Sequence, residues 1–109
     1  MGTIRICIAN DFSTTPGPRK RDDGTHSGQQ FREEVLGPRY LQAKERGDEL
    51  LVDLDGTEGY ATSFLEEAFG GLARENDPAD ILQRLTFKSD DEPYTVEEIR
   101  TYIREARNS

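Results

Sequence analysis

The sequence predicts one small α/β domain over residues 1–109, a central mixed sheet with helices packed on it. Three observations predict this class. Ile4, Ile6 and Ile8 alternate with Arg5, Cys7 and Ala9 at strand period. Leu50-Leu51-Val52-Asp53-Leu54 is a short apolar run that stops at Asp55-Gly56, as a buried parallel strand does. Around these, apolar residues recur at helical spacing, and helices that alternate with strands pack on a shared sheet.

In chain order, Thr3 to Ala9 reads as the first strand. Asn10 to Thr25 is a long loop, rich in turn formers such as Pro16, Gly17 and Pro18, with Phe12 as its anchor. Its length marks it as a flexible or functional segment. A helix begins at Ser27, which forms a capping box with Gln30. Its inward stripe is Phe31, Val35, Tyr40 and Leu41, with a kink at Gly37-Pro38 and a stop at Gly47. After the second strand, a helix starts at Thr62 or Ser63, either of which is a natural cap. Phe64, Leu65, Ala68, Phe69 and Leu72 line one face, and Glu66 and Glu67 suit its first turn. Gly70-Gly71 weakens that helix unless another chain segment packs close there. Asp77-Pro78 opens a short helix, Leu85 to Lys88 makes a strand, and Thr95 to Arg107 makes the last helix. Thr95 and Glu98 read as its capping box.

The chain has 22 acidic and 14 basic residues, for a formal charge of -8. That balance opposes a phosphate backbone, so nucleic acid is not an expected partner. Arg19-Lys20-Arg21 is the local exception and reads as solvated loop surface. One cysteine, Cys7, excludes an internal disulfide and reads as a small buried hydrophobe. No leader peptide and no membrane span are expected, and a reducing cytoplasm is the simplest location. One histidine, His26, rules out a His-His metal pair and reads as a solvated loop residue; no metal or cofactor is expected.

Asp53-Leu54-Asp55-Gly56-Thr57 resembles the first motif of haloacid-dehalogenase-like phosphatases. In that family paired carboxylates at a strand end serve a magnesium-assisted attack on phosphate. The 52 residues after Thr57 hold one further strand, whereas that family needs several more βα units. On the residues alone, the two aspartates close a turn.

The Ile4-to-Ile8 strand, Ser27-Gly28 with Phe31-Arg32, Val52-to-Gly56 and above all the string Gly59 to Leu72 resemble the bacterial STAS-like domains of unknown function. The resemblance implies the fold of STAS anti-sigma factor antagonists, in which a Ser or Thr opening a helix is phosphorylated by a partner kinase. By this resemblance the phosphorylatable positions are Thr62 and Ser63. Here that loop reads Ala61-Thr62-Ser63-Phe64, without the family's Asp before and Gly after the acceptor.

The expected function is a non-enzymatic regulatory or adaptor module that binds a protein partner, with a GHKL-type ATPase or kinase implied by the resemblance. The candidate contact residues are Asp55, Glu58, Tyr60, Thr62, Ser63 and Glu66, at the end of the sheet where open α/β folds present their sites. Tyr60 reads equally as an exposed anchor or as a core tyrosine. Arg32 and Glu58 are candidates for the same edge. The alternatives are a structural subunit of a larger bacterial assembly, for example a defence complex, and a small phosphatase working through Asp53 and Asp55.

Overall fold

A computed structural model describes residues 2–106. Met1 and the expected helical end at Arg107 lie outside the described residues. Strand β1 is Thr3–Cys7, β2 is Glu49–Asp53 and β3 is Leu85–Lys88. They pair in the order β1-β2-β3, both pairs parallel. The sheet is therefore parallel throughout rather than mixed. The first two strands are each followed by helical crossover chain, which is what a parallel neighbour requires.

The first strand is shorter than its apolar run. Ile8–Asp11 turns into a single helical turn, and the Asp11 carboxylate accepts the Cys7 amide at 2.8 Å. Helix α1 spans 28–46, α2 spans 62–75, α3 is Pro78–Arg84 and α4 is Tyr94–Glu105. Strand alternation places Ile4, Ile6, Leu50, Val52, Leu85 and Phe87 on the face that carries the core. The other face presents Arg5, Leu51, Asp53, Thr86 and Lys88, and Leu51 is not packed against that core. Cys7 points to this second face, half-buried, so it is not a core hydrophobe.

Two π-turns shape the helical layer. In α1, Arg32–Leu36 is a π-turn in which the Gly37 amide donates to the Arg32 carbonyl. The extra residue per turn rotates everything after it. The buried stripe becomes Phe31, Leu36, Tyr40 and Ala43, and Leu41, expected inside, is 53% exposed. The widened turn immediately precedes Pro38, which has no amide to donate and whose ring would crowd a regular turn. The helix therefore continues through the expected kink. In α2, Glu66–Gly70 is a second π-turn. Glu66 and Glu67 thus lie past the first turn and serve as ion-pair acceptors rather than dipole partners.

Capping is only partly as the sequence suggests. Ser27 caps α1, accepting the Gln30 amide at 3.0 Å, while the Gln30 side chain turns to Glu34. Asp77 caps α3 through the Ala79 amide. The N-cap of α2 is Ala61, whose methyl group accepts no hydrogen bond, so neither Thr62 nor Ser63 caps it. Helix α4 starts one residue early with Pro93 at the cap, and Thr95 is buried inside its first turn.

Candidate functional site

At the C-terminal end of the sheet, three chain segments meet: the Ile8–Asp11 turn, the loop 54–61 and the loop 89–93. Asp53 ends β2, buried, and accepts hydrogen bonds from Arg5 at 2.8 Å and from the Asp55 amide at 3.0 Å. Asp55 accepts from Lys88 Nζ at 2.7 Å and from the amides of Asp91 at 2.9 Å and Asp90 at 3.1 Å. These donors, the Asp91 amide first and then Lys88, hold the Asp55 carboxyl down at about 2. Lys88 is raised in return, by Asp55 and then Asp90. The two aspartates close a turn and pin the loop after β3. All four of their oxygens are engaged by the chain itself, so the pair does not stand open as a nucleophile and its acid. Among the described residues, no group of three or more His, Cys, Asp or Glu is placed to hold a metal ion.

Tyr60 resolves to the core reading. Its hydroxyl donates to the Leu54 carbonyl at 2.7 Å, and its ring lies 5.8 Å from that of Phe64. Burial pushes its hydroxyl up to about 12, with Thr57 opposing. Glu58 is exposed, and its amide ties the loop to Thr14. Thr62 is exposed at the first residue of α2, and Ser63 beside it is half-buried. The Thr62 hydroxyl sits against the Tyr102 phenol of α4. Burial and then the Glu98 charge push that phenol up, and Thr62 opposes them.

Glu66 lies one turn further on and belongs to a second cluster. Arg19 and Arg74 both donate to it, Arg74 at 2.7 Å. Beside it Glu67 is almost fully buried and takes Arg32 and Lys20, the latter at 3.1 Å. Burial pushes Glu67 up, but the hydrogen bonds and charges of Arg32 and Lys20 outweigh it and lower its pKa. Arg32 also donates to the Glu67 carbonyl at 2.7 Å, in the second π-turn. Arg21 pairs with Glu33 and Glu34. The basic triplet lies at the surface, as expected, but it is paired rather than free. It staples the long loop to α1 and α2.

That loop has further anchors. Gly17 donates to the His26 carbonyl, and the first amides of α1 donate to Pro18 and Arg19. Phe12 packs edge-on to Phe31 at 5.2 Å and to His26 at 5.5 Å, so His26 is half-buried against the core rim rather than solvated. Arg32 serves the α1–α2 contact and does not join the Glu58 edge. Sequence reasoning missed the Arg32–Glu67 pair. Its signal was Gly70-Gly71 together with Gly28: a Cβ on Gly71 would collide with the Arg32 guanidinium, and one on Gly28 would stand 2.5 Å from the Phe64 carbonyl oxygen.

No helix among the described residues is long and apolar enough to cross a membrane. No curated protein and no solved structure matches this chain. Residues 27–95, more than half of its length, match the family described as a STAS-like domain of unknown function. That stretch runs from the Ser27 cap to the first turn of α4, and contains β2, both π-turns and the Thr62 helix start. On that match, the chain belongs to the family of STAS-like domains of unknown function.

Proposed function

We propose that this domain is a regulatory or adaptor module without catalytic activity, which binds a protein partner at the C-terminal end of its sheet. Phosphorylation at Thr62, or at Ser63 beside it, switches the binding. The observation that carries this reading is the exposed Thr62 hydroxyl at the first residue of α2, not engaged as a cap. A helix start offers free amides and a positive dipole end to an added phosphate. Phosphate brings nearly two negative charges, and Glu66 and Glu98 lie close to the same Tyr102 phenol. A partner fitted to a neutral hydroxyl therefore meets a strongly anionic patch and is repelled. The partner class is a GHKL-type ATPase or kinase, and Asp55, Glu58 and Glu66 contribute the fixed charge around the switch.

The test is affinity capture from the native cell with the wild-type chain and with Thr62→Glu. The reading expects at least a tenfold loss of partner affinity for Thr62→Glu with unchanged folding. Equal capture by both chains removes the switch. A second reading is a permanent subunit of a larger bacterial assembly, without phosphorylation. It is favoured by Leu51, an apolar residue on the second face of the sheet that does not pack against the core, since parallel sheets usually carry cover on both faces. It expects a stable partner lost on Leu51→Asp and indifferent to Thr62→Glu.

A further inference from the structure

We propose that the groove between α1 and α2, at the far end of α2 from Thr62, is a docking site for a basic amphipathic helix of a protein partner. The groove encloses about 520 Å³, within the range of built binding clefts. Its apolar floor is Pro38, Leu41 and Leu72, and its charged rim is Glu33 and Glu75. Leu72 is ten residues beyond Thr62, about 15 Å along the helix axis, so this surface is separate from the switch.

The first π-turn sets which residues of α1 line the groove. Past the extra residue in Arg32–Leu36, Leu41 faces out, and Leu41 and Tyr94 are the two exposed large hydrophobic residues among those described. A π-turn inside an α-helix is rare and recurs at functional sites. Here it accompanies an apolar side chain that stands out of the core, in the groove lined by both helices.

Charge selects the occupant. Arg32 is the cation in the groove lining, but it is 13% exposed at its side chain and already holds the buried Glu67. The rim carboxylates reach into solvent from their ion pairs: Glu75 is 68% exposed with Arg32 as its partner, and Glu33 is 45% exposed with Arg21, itself 41% exposed, as its partner. The chain as a whole carries -8 and steers cations toward it. An apolar strip flanked by carboxylates fits a helix with leucine-type residues at i, i+3 or i+4 and i+7, and lysine or arginine on both flanks.

The probe is a synthetic 14-residue leucine–lysine amphipathic helix carrying a fluorophore, titrated with the full chain. Fluorescence anisotropy gives the affinity, and methyl chemical-shift changes locate the contact. The expected result is shifts at Leu41 and Leu72, a loss of about tenfold for Leu41→Ala and for Glu75→Gln, and no change for Tyr94→Ala, which removes the other exposed hydrophobic residue. Binding that ignores Leu41→Ala, or that Tyr94→Ala weakens equally, overturns the proposal by showing charge attraction without a seat. Concentration-dependent dimerisation of the chain alone that Leu41→Ala abolishes also overturns it, because the occupant is then a second copy.

Discussion

Gly28 sits at the crossing of α1 and α2, and replacing it with alanine tests the packing that positions every functional residue described above. A methyl group there would stand 2.5 Å from the Phe64 carbonyl oxygen, 3.1 Å from Phe64 Cα and 3.2 Å from Glu67 Cβ. Two of these atoms are backbone and cannot rotate away, so the helices must part by nearly an ångström. Such overpacking costs about 1–3 kcal/mol. Alanine recovers at most about 1 kcal/mol over glycine inside a helix, and less at this first helical position. The net loss is about 1–2 kcal/mol, which lowers the melting temperature of a chain this size by about 5–15 °C. Urea unfolding followed by circular dichroism measures it, with Gly2→Ala as a control whose nearest neighbour is 3.5 Å away. If Gly28→Ala matches or exceeds the wild type in stability while the control is neutral, the close crossing of α1 and α2 is wrong.

Three further outcomes follow from the same geometry. Ala61→Asp supplies the missing cap of α2 and should stabilise the domain by about 1 kcal/mol, whereas Thr62→Ala should change it by less than about 0.5 kcal/mol; urea midpoints that reverse this order would restore Thr62 as the cap. Asp55 has a folded-state pKa near 2 against an ordinary 3.8, so its contribution is full above about pH 4 and lost as pH falls through 2. Acid titration of stability should therefore be shallower for Asp55→Asn than for the wild type across that window, and equal slopes would mean the Asp90, Asp91 and Lys88 bonds do not form. Tyr60→Phe leaves the buried Leu54 carbonyl without its 2.7 Å donor and should cost about 1 kcal/mol; a neutral change in the same unfolding assay would return Tyr60 to an exposed role.

The α/β class was legible because its signals are local. Alternation of Ile4, Ile6 and Ile8, the Leu50-to-Leu54 run and the amphipathic helices each announce an element without reference to the rest. The Leu50-to-Leu54 run announced a parallel strand, but that the whole sheet is parallel emerges only once the crossovers are placed. The register of α1 was misread because hydrophobic periodicity assumes one turn length, and the π-turn over Arg32–Leu36 adds a residue to it. Leu41 then leaves the core and Leu36 enters. The capping residues of α2 and α4 were misread for a related reason. Thr62, Ser63 and Thr95 are good caps by type, but the chain enters each helix one or two residues earlier, at Ala61 and Pro93. Of the candidate contact residues, Thr62 and Glu58 stand exposed at the sheet end, Asp55 and Tyr60 are spent on holding the loop, and Glu66 joins the Arg19–Arg74 cluster. The glycines at 28, 70 and 71 marked the second cluster, but no sequence pattern says which arginine fills the space that a glycine leaves.

In the proposed switch, a protein partner is held at the sheet end and released by phosphate on the α2 start. Intact-mass analysis of the chain recovered from its native cell, in partner-bound and free pools, tests it most directly. The switch predicts a phosphate-sized increase mapped to Thr62 or Ser63 in the free pool and an unmodified chain in the bound pool. An unmodified chain in both pools, with the partner still bound, would contradict the switch.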